Sequence, residues 1–347
     1  MAKIKPLEWK EDKLVLIDQR KLPLKQEFLS YNSIEGVHEA IKDMVVRGAP
    51  LIGFTALFGM VLAAKETFNL EVLTQKGEYL KTARPTAVNL AYEVDRAIDI
   101  SKKEISEGRG KELSQTLLSF AMDQMEKLKN DNLQMAKIAL EELTSIYGDK
   151  KLNLMTLCNT GFLACGPMGT ALGVIQYAFE QSQVNHVYAS ETRPYLQGGR
   201  LTAFELCSLG IPHSVTVEGA FSYLLKNKLV DAIFIGADRI VSNGDTANKV
   251  GSSTLAIVAK HYGIPFYTVA PTSTFDLSLS NGDEIEIELR SETEVLQAMG
   301  QQVTPYESKA LNPSFDVTDH DHLTGIICEK GIIKNISPDN VITTVRG

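Results

Sequence analysis

The 347-residue chain has room for two domains of about 150 residues each and for a sizeable core. Its formal net charge of −8, with Lys and Arg scattered and no basic run among aromatics, argues against a nucleic-acid partner, because a phosphate backbone needs a basic patch. The four cysteines (Cys158, Cys165, Cys207, Cys328) contain no CxxC pair, which excludes a disulfide framework and a zinc pattern and leaves a reduced, cytoplasmic compartment as the expectation.

The first twenty residues carry several Lys and Arg but no apolar core, so no secretory signal is expected. "KLVLID" (13–18) alternates like a short strand. Ile34, Val37, Ile41, Met44 and Val45 recur at helical spacing between Ser33 and Val46. "RGAP" (47–50) interrupts, and Pro50 fits the start of a second helix over 51–64. The apolar stretches are too short and Gly-rich to cross a bilayer, so no membrane partner is expected. Residues 84–105 and 111–146 read as long amphipathic helices. "IYGDKKLN" (146–153) then breaks the pattern and places a boundary between 1–148, mainly helical with a small β region, and 149–347.

After the boundary the pattern is strand, polar turn, helix, repeated. "LNLMTL", "HVYAS", "HSVTV", "DAIFIGAD" and "PFYTVAP" are the strands. This alternation predicts a Rossmann-like α/β domain with a parallel sheet, whose ligand lies beyond the strands' carboxyl ends. Cys158, Glu191, Arg193, Asp238 and Thr272 each fall just past such an end.

Cys158 precedes a Gly-rich turn; position alone leaves it balanced between a small buried hydrophobe and a reactive thiol. Asp238 is either a turn cap or an acid–base group at a semi-buried crevice. Asn248 and Lys249 enter the helix expected over 250–261. There they are either an ordinary cap with a solvated lysine, or an amide and a cation offered to an anion. Gly161, Gly166 and Gly169 fit neither a GxxxxGK[ST] loop nor GxGxxG, so ATP and NAD are not indicated. "DHDH" (319–322) reads as a solvated turn, and the remaining histidines lack ligand or triad spacing, so no metal is expected.

"RGAP", "TARPTAVNL" (82–90), "CNTG" (158–161), "GTALGVI" (169–175), "ETRPYLQGGRLTAFEL" (191–206), "GADRIVSNGDTANKVGS" (236–252) and "NPSFDVT" (312–318) together resemble the methylthioribose-1-phosphate isomerase family. That family is related to 5-deoxyribose-1-phosphate and ribose-1,5-bisphosphate isomerases and to regulatory subunits of the translation-initiation guanine-nucleotide exchange factor. The resemblance runs over nearly the whole chain. It implies a homodimeric enzyme of methionine salvage that turns a pentose 1-phosphate from aldose to ketose without metal or organic cofactor. By motif match it implies Cys158 and Asp238 as catalytic residues. It implies Arg47, Gly48, Ala49, Arg84, Gln197, Asn248 and Lys249 as substrate-binding residues, with Arg47 and Arg84 coming from the first domain. The noncatalytic relatives typically lack the Cys–Asp pair, which sets a sugar-phosphate or nucleotide sensor behind an enzyme. Whether hydrogen moves from C2 to C1 through a thiolate base or as a hydride stays open. "FLACGPMGT" (162–170) and "IEIELR" (285–290) depart from the family pattern and keep a 5-deoxyribose 1-phosphate isomerase as the close alternative.

Overall fold

The computed structural model describes residues 4–85 and 87–347, which gather into two compact units. Met1–Asn130 with Phe162–Gly169 make the first; Asp131–Gly161 with Thr170–Gly347 make the second. The units part inside one long helix, whereas the boundary expected at 148–149 falls just after that helix ends.

In the first unit, β1 (Leu7–Lys10), β2 (Lys13–Ile17) and β3 (Phe28–Tyr31) form an antiparallel meander. α1 (Ile34–Lys42) starts at Ser33, whose hydroxyl accepts from Gly36 N–H at 3.2 Å. It stops short of the expected Val46 because Met44 turns left-handed, φ +57°. α2 (Ala49–Glu66) begins beyond Gly48, whose φ is +89° and where a Cβ would fall 2.4 Å from Ala164 O. By length and composition α2 could cross a bilayer, against the sequence expectation. Every residue from Leu51 to Ala64 is buried, however, so it is apolar all round because it is the unit's core helix.

α3 (Leu70–Lys81) has no counterpart among the predicted helices. Its polar composition hides it, and Gly77 at its middle admits Val94 and Ile98 of α4 (Val88–Ser106) to within 3.0 Å of a would-be Cβ. α4 starts later than the expected residue 84; Arg84 stands before Pro85, which disfavours helical backbone. In the 82–90 stretch, Thr86 lies outside the described residues. α5 (Leu113–Tyr147) is the long helix, and α6 (Phe162–Cys165) is one short turn.

The second unit is built on β4 (Leu152–Thr156), α7 (Ala171–Glu180), β5 (Val184–Ser190), α8 (Ala203–Leu209), β6 (His213–Thr216), α9 (Phe221–Lys226) and β7 (Ala232–Ile235). A second set, β8 (Arg239–Val241), β9 (Thr246–Lys249), α10 (Ser252–Tyr262), β10 (Phe266–Val269) and β11 (Phe275–Asp276), continues it. Then follow α11 (Thr293–Leu296), the hairpin β12 (Gln297–Ala298) and β13 (Gln301–Gln302), β14 (Phe315–Thr318), β15 (Gly325–Cys328), β16 (Gly331–Ile333) and α12 (Pro338–Arg346). The main sheet has the order β16-β15-β10-β7-β4-β5-β6, parallel except for β16. Its six parallel strands, taken in chain order, lie as 3-2-1-4-5-6. That is the Rossmann arrangement, with the order reversing between β4 and β7. A smaller sheet, β11-β8-β9-β14, was not predicted.

Asp245 ties that smaller sheet to its loops. It accepts from Asn243 Nδ2 at 2.7 Å, Gly282 N–H at 3.0 Å and His320 N–H at 2.9 Å, and His320 Nδ1 lies at 2.8 Å. Burial pushes its carboxyl up, but these hydrogen bonds outweigh burial and hold it below the ordinary value. Its contribution to stability is therefore present above the unfolded pKa of about 3.9 and lost as pH falls through the lower folded value. Asp245→Asn should cost about 1–3 kcal/mol at neutral pH in urea unfolding, with the gap from wild type narrowing below about pH 4. A gap independent of pH would contradict this role.

Candidate active site

Cys158 stands just past β4, at the reversal point of the sheet. Its φ is +68°, a left-handed conformation that costs a non-glycine residue about 1–2 kcal/mol. Two threonine hydroxyls hold it there. Thr192 Oγ1 accepts from Cys158 N–H at 2.9 Å, and Thr202 Oγ1 donates to Cys158 O at 2.6 Å. The residue is 8% exposed, and Sγ accepts from Gln197 Nε2 at 3.3 Å. Gln197 is itself buried, and its Oε1 has no hydrogen-bond partner among the described residues. Leaving a buried acceptor unmet costs about 1–3 kcal/mol. A ligand hydroxyl is the kind of donor that would remove that cost.

The turn after Cys158 is wrapped round a buried carboxylate. Asn159 Nδ2 donates to Glu205 Oε1 at 2.7 Å and to Thr202 Oγ1 at 3.3 Å. Gly161 lies so close that a Cβ there would fall 1.9 Å from Glu205 Oε2. Gln197 leads into a widened, π-type turn over Gly198–Thr202 that continues as α8, a distortion frequent at functional sites.

Asp238 lies on the neighbouring strand's exit. β4 and β7 pair with Leu154 opposite Ala232 and Met155 opposite Ile233. The same register carried forward sets Cys158 opposite Gly236, two residues before Asp238. The loops touch there: a Cβ on Gly236 would fall 2.8 Å from Thr160 Cγ2. Asp238 is exposed, in the turn by which the chain leaves β7 for β8. Its N–H donates to Ala247 O at 2.9 Å, which fixes it beside Asn248.

Asn248 and Lys249 end β9, and the helix that follows begins at Ser252 instead of residue 250. Asn248 Nδ2 donates to Ser252 Oγ at 2.8 Å. Lys249 Nζ donates to Ser314 O at 2.6 Å and lies 4.6 Å from the Phe315 ring centre. Backbone N–H groups at this helix start are bonded within the protein. Asp316 accepts from Gly251 N–H at 2.7 Å and Ser253 N–H at 3.1 Å. Burial dominates at that carboxyl and raises it despite the bonds.

Arg193, placed at the rim by the sequence, caps a helix end: it donates to Glu294 O, Val295 O and Gln297 O at 2.8–3.4 Å. Thr272 N–H is held by Glu329 at 2.9 Å. Glu191 is pushed up by burial and by the neighbouring Glu218. Cys328 is buried and Cys207 exposed. Of the remaining candidates, Arg47, Gly48, Ala49 and Arg84 belong to the first unit. There Gly48 and Ala49 open α2, and Arg84 follows α3. A groove of about 520 Å³ lined by Lys137, Glu141 and Tyr177 contains none of the predicted site residues.

Sequence reasoning singled out Cys158, Gln197 and Asp238 but not Thr192, Thr202, Asn159 or Glu205. The available signal for Glu205 was a carboxylate inside the apolar run "AFELC"; a buried acid there needs partners.

A family model described as "Initiation factor 2 subunit family" matches residues 45–335. A protein of Caldicellulosiruptor saccharolyticus named methylthioribose-1-phosphate isomerase is 45% identical over 334 residues, 95% of this chain and 96% of its own. One of Sulfurihydrogenibium with the same name is 44% identical, covering 98% of this chain and 96% of its own. Among solved structures, 5-methylthioribose 1-phosphate isomerase from Pyrococcus horikoshii superposes with a TM-score of 0.92 at 35% identity, covering 99% and 97% of the two chains. The translation initiation factor eIF-2B subunit delta from A. fulgidus superposes with a TM-score of 0.89, also at 35% identity, covering 99% of this chain and all of its own.

Proposed function

The chain belongs to the initiation factor 2 subunit family, and from that premise we infer that it is an aldose–ketose isomerase converting 5-methylthioribose 1-phosphate to 5-methylthioribulose 1-phosphate in methionine salvage. The observation that favours an enzyme over a regulatory subunit is the arrangement around Cys158. The thiol has a strained backbone, an amide donor on its sulfur, and an unmet buried acceptor beside it.

The chemistry follows from the substrate. The anomeric carbon is a phosphate ester, so the ring must open before the C2 hydrogen can move. Asp238 supplies the proton that the ring oxygen takes up as its bond to C1 breaks. On the proton-transfer route, the alternative being direct hydride transfer from C2 to C1, Cys158 removes the C2 proton and returns it to C1. The C2 hydroxyl gives its proton back to Asp238 as C2 becomes the carbonyl, so the net change is the isomerisation alone. Gln197 and Asn248 orient hydroxyls. Arg47, Arg84 and Lys249, with the backbone at Gly48 and Ala49, hold the phosphate.

Arg84→Ala and Lys249→Ala should each raise KM about tenfold to a hundredfold, since a charge-assisted contact to phosphate is worth about 1.5–3 kcal/mol. An unchanged KM in both would place the phosphate elsewhere. The loop after Gly161, residues 162–169, carries no charged side chain and includes Phe162 and Met168. If this loop reaches the 5-position, it offers nothing to offset desolvation of a second phosphate. This favours methylthio or deoxy at the 5-position over 5-phosphate. Comparing kcat/KM for 5-methylthioribose, 5-deoxyribose and ribose 1-phosphates and ribose 1,5-bisphosphate tests the reading, and a value highest for the bisphosphate would sink it. The same family resemblance supports a cytoplasmic homodimer.

A further inference from the structure

We propose that Thr192 is a positioning residue that fixes the Cys158 thiol and the Gln197 amide against each other; the inference rests on the isomerase reading above. Thr192 is fully buried, with φ +61°, and every polar group it has is engaged. Its N–H donates to Glu218 Oε1 at 2.7 Å. Its carbonyl accepts from Leu196 N–H at 2.8 Å, closing the turn that delivers Gln197. Its hydroxyl donates to Ser190 O at 3.0 Å, which leaves an oxygen lone pair for Cys158 N–H at 2.9 Å. One residue thus anchors the backbone on both sides of the Gln197 Nε2–Cys158 Sγ contact. Glu218 in turn is bonded to Ser190 Oγ, so the anchor is tied to the end of β5.

The role needs a hydroxyl and not merely a β-branched shape. Valine keeps the volume but leaves Cys158 N–H buried without its acceptor, so the left-handed backbone at Cys158 loses one of its two ties. Serine keeps the acceptor. Thr192 itself touches no reacting atom in this scheme and acts only through Cys158 and Gln197.

The test compares Thr192→Val and Thr192→Ser in the full chain. Thr192→Val should lower kcat about a hundredfold with KM within about twofold of wild type, because a displaced reacting group costs rate more than binding. Thr192→Ser should restore most of kcat. Carboxamidomethylation of Cys158 by iodoacetamide at fixed pH, without substrate and read on the Cys158 peptide, should slow about fivefold or more in the valine variant as the thiol loses the amide donor. Wild-type kcat and alkylation in Thr192→Val would overturn the proposal, as would faster alkylation, which marks simple loosening. Should Thr192→Val not fold, Thr192→Ala reads the same two quantities. If neither folds, Thr192 holds the fold and the positioning assignment is lost. Absence of turnover by the wild type on every pentose 1-phosphate would overturn the isomerase reading instead, and the alkylation arm would still decide the role of Thr192.

Discussion

Cys158→Ser and Asp238→Asn are each expected to lower kcat by about a hundredfold to ten-thousandfold, the range for losing a general acid or base. KM and the urea midpoint should stay close to wild type. Serine at 158 keeps both backbone ties, to Thr192 and Thr202, and still accepts from Gln197 through its oxygen. What it lacks is the thiol sulfur that takes up and returns the C2 proton in this scheme. Asparagine at 238 keeps the N–H bond to Ala247 O and replaces an exposed side chain, where substitutions usually change stability by less than about 0.5 kcal/mol. Steady-state kinetics with urea unfolding of the same preparations check this. Near wild-type kcat in either variant removes that residue from the mechanism.

Gly198→Ala should be the most damaging single methyl near the site. A Cβ at Gly198 would lie 1.7 Å from Ser190 O and 2.8 Å from Thr192 Oγ1. The first is a backbone atom at the end of β5 and cannot swing aside. Relief requires moving either that strand end or the turn that carries Gln197. The stability loss should reach or exceed the upper end of the usual 1–3 kcal/mol range, roughly, for overpacking. kcat should fall about a hundredfold, since both groups facing Cys158 shift. Gly219→Ala is the matched control, because nothing lies within 4 Å of its added carbon. If Gly198→Ala matches Gly219→Ala in urea midpoint and rate, the turn repacks freely and the rigid-site account is wrong.

The sequence pattern made the main sheet legible because each βαβ unit is local. An apolar run, a polar turn and a helix announce one strand, and five such runs predicted β4, β5, β6, β7 and β10 close to their observed positions. The smaller sheet was hidden because its pairing is not local. β9, "TANK", lacks the alternation of a strand and is held by β14, with Asn248 opposite Asp316. The same pairing brings Asp316 to the start of α10, where its carboxylate accepts from the backbone N–H groups of Gly251 and Ser253. No local pattern near Lys249 could announce this. α5 shows a different limit: its periodicity runs unbroken to Tyr147, so nothing in it marks the point where one unit gives way to the other. At the site, Cys158 and Asp238 were legible as strand-end residues. The exposure of Asp238 and the clamp of Thr192 and Thr202 depend on tertiary contacts between separate βα turns.

The most direct test of the central claim is to follow 5-methylthioribose 1-phosphate by NMR in the presence of the purified wild-type protein with no added metal or cofactor. The anomeric C1 signal should disappear and a C2 ketone grow with the phosphate still on C1, with no such change for Cys158→Ser over the same period. Wild-type protein that leaves this substrate unchanged, or that releases free phosphate in place of the ketose ester, would contradict it.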